Sequence, residues 1–90
     1  MKHYAFAEII ERVQTMEAYF DEVQNGLLQS PHCVDKDKLR LLAEYYGDGR
    51  WLNDYTLDEC GRLPPYLKRA VLSQDGVYNL LQELKDKDLP

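Results

Sequence analysis

The chain has 90 residues, of which 44% are hydrophobic and 30% are charged, and its formal net charge is −5. A chain of this length fits one domain with one modest core, and its composition is too apolar for disorder throughout. The excess of acidic residues disfavours non-specific attraction to nucleic acid or to anionic lipid. We therefore expect one folded domain over residues 1–90, with no nucleic acid among its partners.

Three features of the sequence bear on its location. No uncharged stretch approaches the roughly 20 residues that a membrane-spanning helix requires. Glu8 interrupts the amino terminus before the apolar core of a signal peptide could form. Cys33 and Cys60 are too few for a disulfide framework or a cysteine-based zinc site, and we expect both to be small buried thiols. The sequence thus predicts a cytoplasmic protein that does not contact a membrane.

Apolar residues recur at steps of three and four along the first third of the chain. The pattern predicts a long amphipathic helix over residues 4–28, which Gly26 weakens and Pro31 ends. The same stripe could pair with a second copy, so a homodimer through this helix is one hypothesis. The stripe consists of Phe6, Ile9, Val13, Met16, Phe20, Val23 and Leu27, and the opposite polar face consists of Glu8, Glu11, Arg12, Glu17, Asp21 and Glu22.

A second helix is expected in the middle of the chain. It begins near Val34 or Asp35, and Gly47 and Gly49 stop it. Its apolar side carries Leu39, Leu42, Ala43 and Tyr46, with Leu41 and Tyr45 beside them.

A short third helix should run from Arg50 or Trp51 to Glu59, because Gly61 stands where a left-handed carboxyl-terminal cap would lie. Its inward residues are Trp51, Leu52 and Tyr55. The rigid Leu63-Pro64-Pro65 connector follows, and residues 66–71 allow one or two helical turns.

The last helix is expected to begin after Ser73, which is a good N-cap, with Asp75 favoured in its first turn. Residues 85–90 should fray as a charged tail. No segment shows the alternation of a strand, so the sequence predicts an all-α fold, in which one long helix packs with three or four shorter ones. The apolar side of the last helix consists of Val77, Leu80, Leu81 and Leu84.

A dense pattern of aromatic, acidic and proline residues follows the second helix. With it, the chain resembles a bacterial family, the domain of unknown function 4298, and the first helix resembles that family's amino-terminal part through Ile10, Arg12, Met16 and Glu17. The pattern comprises Tyr45, Tyr46, Gly47, Trp51, Asp54, Asp58, Glu59, Gly61, Leu63, Pro64, Leu67, Lys68, Arg69, Val71, Leu72, Ser73, Asp75, Tyr78, Leu80 and Leu81.

The resemblance implies a small, mainly helical domain of the bacterial cytosol, and it implies no catalytic residue and no cofactor. The chain departs from the family pattern at Ala70, Gln74 and Asp48, where the family has glycine, glutamate and commonly serine. Ala70 implies that the backbone there need not adopt a conformation restricted to glycine. Gln74 removes one charge near the start of the last helix.

The most concentrated acidic group is Asp54, Asp58 and Glu59, because residues four apart share one face of a helix. A functional interpretation is a cation site or an acid/base pair in a small enzyme or ligand-binding protein. The alternative is structural, and it is the commoner cause of clustered charge. In that case the acids form salt bridges that fix the third helix against the segment after the prolines, with partners among Arg50, Arg62, Lys68 and Arg69.

The aromatic residues also allow two interpretations. They could line a ligand pocket or an interaction surface, or they could pack at the junctions of the helices, with hydroxyls reaching acids such as Asp54 and Asp75. Packing is the commoner outcome, with Tyr46 and Trp51 as the firmest core members. The set consists of Tyr45, Tyr46, Trp51, Tyr55, Tyr66 and Tyr78.

No pattern in the sequence matches a known reaction site. His32, Cys33, Asp35 and Asp37 are metal-ligand types at a spacing that fits neither a zinc site nor a calcium loop, so we predict no metal site and no cofactor. The leading hypothesis is a non-enzymatic interaction or regulatory domain with an unidentified protein partner; direct DNA binding is a further alternative that the charge disfavours. The candidate interaction surface consists of Tyr45, Trp51, Asp54, Asp58, Glu59, Lys68 and Arg69.

Overall fold

A computed structural model describes residues 6–73 and 75–86 of the chain, and four α-helices and two short 3-10 helices make up the regular structure of these residues. The expected all-α fold is confirmed, with one long first helix against shorter ones. The α-helices are α1 (Phe6–Gln29), α2 (Lys36–Gly47), α3 (Arg50–Glu59) and α4 (Gly76–Asp86), and the 3-10 helices are Pro31–Cys33 and Ala70–Leu72.

The apolar stripe of α1 forms one side of the core. α1 packs against α2 and against both 3-10 helices, which covers the stripe with other parts of the same chain. Phe6 is the exception at 44% exposed. A homodimer through the stripe stays a prediction, and it would require these intramolecular contacts to open. The buried members are Ile9, Val13, Met16, Phe20 and Val23.

The polar face of α1 is narrower than the sequence pattern suggests. Glu17 is only 7% exposed, and Arg12 is partly buried. Assigning Glu17 to a solvated face is therefore wrong. The physical reason is that the 3-10 helix Ala70–Leu72 packs on α1, so this helix is covered over a wider arc than its apolar stripe.

A close approach of two backbones explains the glycine near the end of α1. A Cβ atom at Gly26 would lie 2.7 Å from the carbonyl oxygen of Cys33. Glycine has no Cβ, so the 3-10 helix Pro31–Cys33 can lie directly against α1. The chain thereby turns into α2 within a few residues.

Local capping signals set the ends of the middle helices. The Asp35 carboxylate accepts hydrogen bonds from the N–H groups of Asp37 and Lys38 at 3.0 and 3.1 Å, as the N-cap of α2. Gly49 joins α2 to α3 in the left-handed region, with φ of 96°. Both helices begin and end close to the positions that the sequence predicts.

The predicted left-handed cap of α3 is confirmed. Gly61 has φ of 70°, and its N–H donates to the Asp58 carbonyl at 2.9 Å. The N–H of Arg62 donates to the Leu57 carbonyl at 2.9 Å. These two bonds are the pattern of a Schellman cap, which satisfies two carbonyl groups at the end of the helix.

The predicted start of the last helix is wrong. α4 begins at Gly76, and the Asp75 carbonyl accepts the hydrogen bond from the Asn79 N–H at 2.8 Å. Ser73 instead ends the 3-10 helix Ala70–Leu72, with its N–H donating to the Ala70 carbonyl at 3.0 Å. The two preceding side chains, Val71 and Leu72, are buried and hold the chain in this turn, and α4 begins two residues later than predicted.

Three smaller expectations are corrected or limited by the structure. Cys33 and Cys60 are exposed free thiols and not buried ones, because each stands at the end of a helical element. Lys85 lies within α4, so fraying from that residue is wrong, and residues 87–90 lie outside the described residues, as does Gln74. Among the helices of residues 6–73 and 75–86, none combines the length and apolar character needed to cross a bilayer.

Candidate functional site

The seven residues of the predicted interaction surface separate into an interior group and a surface group. Tyr45 and Asp54 have no exposed area, and Trp51 is 8% exposed. The prediction that these three residues lie on a surface is therefore wrong, because they belong to the core. The surface group consists of Asp58, Glu59, Lys68 and Arg69, with Glu59 and Lys68 exposed and the other two half-buried.

Asp54 is the centre of a buried polar triad that joins three helices. The Arg12 guanidinium of α1 donates from Nε to Oδ2 at 2.9 Å and from Nη2 to Oδ1 at 2.5 Å. The Tyr45 hydroxyl of α2 donates to Oδ2 at 2.6 Å. The carboxylate on α3 thus accepts hydrogen bonds on both oxygens from two other helices, in a geometry that suits a planar guanidinium.

The triad also keeps the Tyr45 phenol protonated. Burial raises the pKa of Tyr45, and the hydrogen bond to the Asp54 carboxylate raises it further. The hydroxyl therefore remains a neutral donor across the physiological range. Asp54 is enclosed and both of its oxygens are engaged, so the triad holds α1, α2 and α3 together.

A second group of buried hydrogen bonds holds the segment that follows the proline connector. The Trp51 Nε1–H donates to the Val71 carbonyl at 2.8 Å, and the Val71 N–H donates to Glu17 Oε1 at 2.8 Å. Side chains of α3 and α1 thus satisfy both backbone groups of one residue in the 3-10 helix. The pattern of the sequence gave no sign of this role for Glu17, because a lone glutamate on an amphipathic helix normally faces water.

The interpretation of the acidic residues as salt-bridge partners is confirmed for one pair. Asp58 accepts a hydrogen bond from Arg69, whose Nη2 also donates to the Pro64 carbonyl at 2.7 Å. This bridge fixes α3 against the segment after the prolines. Asp54 pairs with Arg12 instead of the expected arginines, and Arg50 pairs with Asp48.

The three acids of the alternative enzyme or metal site do not converge. Asp54 faces the interior, Asp58 faces Arg69, and Glu59 is exposed. In the part of the chain that the structure describes, no group of three histidine, cysteine or acidic side chains is placed to hold a metal ion. The arrangement gives no geometric support to chemistry shared by these carboxylates.

A different feature, an aromatic groove formed by residues of α2, α3 and the start of α4, is the best candidate site. Trp51 stacks on Tyr55 with ring centroids 4.9 Å apart, and Tyr46 is tilted against Trp51 at 5.0 Å. Leu52 is 59% exposed, although the sequence pattern placed it inward, and Tyr78 is 52% exposed. The groove has a volume of about 440 Å³ and is lined by Tyr46, Trp51, Leu52, Tyr55, Asp75 and Tyr78.

The electrostatics of the aromatic groove are negative. Asp75 lines it, and Glu59 lies close enough to affect Tyr55. Partial desolvation raises the pKa of the Tyr55 phenol, and the negative charge of Glu59 and a hydrogen bond with it raise that pKa further. Asp58 and Asp75 act in the same direction. Ionisation of the Tyr55 phenol is thus disfavoured.

The family model of the domain of unknown function DUF4298 matches residues 6–87. The chain belongs to the DUF4298 family. No curated protein and no solved structure matches it. The match covers nearly the whole of the described fold, including the buried triad and the aromatic groove.

Exposed side chains of this DUF4298 domain line the aromatic groove, whereas its buried carboxylates do not. Asp54 and Glu17 form contacts between helices. The exposed Tyr78 and the half-buried Tyr46 and Tyr55 line the groove beside the buried Trp51. Tyrosine combines a large apolar face with a polar tip, which suits it to contacts with another molecule. The sequence indicated the aromatic residues of this groove but missed Leu52 and Asp75.

Proposed function

We propose that this DUF4298 domain is a non-enzymatic protein-interaction domain that binds a partner protein in the bacterial cytoplasm through the aromatic groove. The single observation that carries the proposal is the exposure of Leu52 and Tyr78 beside the stacked Trp51–Tyr55 pair. Large apolar side chains next to a rigid base are the kind of surface that anchors a partner.

Rigidity of the groove supports this role. Trp51 is fixed by its hydrogen bond to Val71, and α3 is fixed by the Arg12–Asp54 pair and by the Asp58–Arg69 pair. A groove that is already ordered loses little conformational entropy when a partner binds. The exposed rings can therefore contribute most of their contact energy to affinity.

Two points support the bacterial cytoplasm as the place of action. The resemblance to the family implies a bacterial protein. Cys33 and Cys60 are free and exposed, and exposed free thiols persist in reducing compartments.

Site-specific photo-cross-linking in cells tests the proposal. A photo-reactive phenylalanine analogue in place of Tyr78 should cross-link a discrete protein, and the cross-link should disappear when Leu52→Glu is added. The same analogue in place of Leu28, which is 85% exposed on α1 and outside the groove, is the matched control. Circular dichroism confirms that each variant is folded.

A peptide from the cross-linked segment completes the test. It should bind the natural protein and the Leu28→Glu variant with equal affinity and should bind the Leu52→Glu variant weakly or not at all. Equal binding to all three proteins, or equal cross-linking from positions 78 and 28, would overturn the aromatic groove as the interaction surface.

A further inference from the structure

The aromatic groove has the chemistry of a site for a positively charged side chain. We propose that it binds a protonated arginine or lysine side chain of the partner, a proposal that rests on the interaction function above and names what the groove recognises. The first ground is the aromatic lining, because the faces of tyrosine rings attract cations within about 6 Å of the ring centre. Tyr78 is 52% exposed, and Tyr46 and Tyr55 are partly exposed, whereas Trp51 is buried against both of them. Four of the six lining residues are aromatic.

The second ground is charge. Asp75 contributes a full negative charge to the lining, and none of the six described residues that form it is basic. The amino-terminal end of α4 carries about half a positive charge, which the Asp75 carboxylate outweighs. Glu59 extends the negative potential past Tyr55. A cation entering the groove therefore finds tyrosine rings and a carboxylate.

Two cations on and after α3, Arg50 and Arg69, are engaged outside the groove. Arg50 pairs with Asp48 and lies over the Tyr45 ring at 5.7 Å, and Arg69 pairs with Asp58. The negative potential of the groove is therefore open to a group from outside. Leu52, which is 59% exposed, lies at the groove and can cover the aliphatic stem of an arginine or lysine.

A pair of small probes tests the inference independently of any partner. N-acetylarginine amide and N-acetylcitrulline amide have nearly the same shape, but only the first is charged. Both are titrated into the protein at constant ionic strength while NMR follows the ring signals of Tyr78 and of Trp51, the chain's single tryptophan. The arginine probe should give saturable shifts, with an affinity about two- to thirtyfold higher than that of the citrulline probe.

Two charge variants locate the effect. Asp75→Asn should remove much of the preference for the arginine probe while it leaves α4 intact, because asparagine serves as well as aspartate before a helix. Asp37→Asn removes the same charge from α2, outside the groove, and should leave the preference unchanged.

Three outcomes would overturn the inference. They are equal shifts with both probes, no shift with either probe, or a dependence of the Trp51 signal on protein concentration alone, which would identify a second copy as the occupant. The cross-linking test at position 78 is independent of these results. A groove that captures a partner but does not prefer the arginine probe would keep the interaction function and reject the cation.

Discussion

Arg12 and Asp54 are 42 positions apart in the sequence and form a bidentate ion pair between α1 and α3. Asp54 is fully buried, and the Arg12 side chain is 13% exposed. Burying these charges is costly. The two hydrogen bonds from the guanidinium to Asp54, together with the hydrogen bond from the Tyr45 hydroxyl to Asp54, offset that cost. The pair therefore matters most when one partner is lost, because the other charge then remains buried without compensation.

The first prediction concerns the stability that this pair protects. Arg12→Met leaves the Asp54 carboxylate buried without its cation, and we expect the free energy of unfolding to fall by about 3–5 kcal/mol. Urea unfolding followed by the fluorescence of Trp51 measures the change. Adding Asp54→Leu and Tyr45→Phe to Arg12→Met should recover part of the loss, because no polar group of the triad then remains unpaired.

A surface pair provides the control for this prediction. Glu22→Gln breaks the ion pair with Lys38 on the surface of the molecule, and we expect a loss below about 1 kcal/mol. Similar losses for Arg12→Met and Glu22→Gln would show that the buried pair does not hold α1 and α3 together.

The second prediction concerns alkaline pH. The pKa of Tyr45 is raised in the folded protein, so folding favours the neutral phenol. The resulting stability is complete below pH 10, the ordinary pKa of tyrosine, and is lost as the pH rises further, because the phenol ionises first in the unfolded chain. Tyr45→Phe should lower stability by about 1.5–3 kcal/mol at pH 7.

The measurement is urea unfolding of both proteins between pH 8 and pH 11.5. The other tyrosines titrate in both, so the difference between the curves isolates Tyr45. The natural protein should lose up to about 1.4 kcal/mol more per pH unit above pH 10 than Tyr45→Phe does. Parallel curves would contradict the raised pKa.

The helices could be predicted from the sequence because the residues that begin, end and stabilise them act locally. The Asp35 cap and the Gly61 cap act within one turn of their own helix, and the stripe of α1 repeats within that helix. The predicted start of α4 is wrong because a good local cap at Ser73 competes with the burial of Val71 and Leu72. Where a local preference and core burial disagree, burial sets the helix boundary.

The candidate site was harder to predict because exposure depends on contacts between distant segments. Asp54 and Glu17 look like ordinary surface acids in the sequence, and only their partners Arg12 and Val71 make them interior residues. Trp51 and Leu52 are neighbours, yet one is buried and the other is largely exposed. The composition indicated an aromatic region, and the packing of α4 against the rest of the chain decided which rings reach the surface.

The third prediction concerns the hydrogen bond between Glu17 and the backbone of Val71. Glu17→Leu leaves the buried Val71 N–H without an acceptor, and we expect a loss of about 1–3 kcal/mol with faster amide hydrogen exchange at Val71. Glu17→Gln keeps a side-chain oxygen at the same position and should largely preserve the protection. Unchanged exchange at Val71 in the leucine variant would show that the bond does not hold the 3-10 helix on α1.

The last prediction sets helix propensity against a steric contact. Alanine at Gly26 would favour the helix by about 1 kcal/mol, but its Cβ atom would lie 2.7 Å from the Cys33 carbonyl oxygen. A backbone oxygen cannot rotate away, so α1 and the 3-10 helix Pro31–Cys33 must separate, and we expect Gly26→Ala to be destabilising by about 1–3 kcal/mol.

Gly47 is the matched control, because it also lies in a helix and a Cβ atom there would have no neighbour within 4 Å. Gly47→Ala should leave stability unchanged or raise it by up to about 1 kcal/mol. Urea unfolding measures both variants under the same conditions. Equal stabilities for the two variants would mean that α1 and the 3-10 helix can separate at no cost, which would contradict the close packing that Gly26 permits.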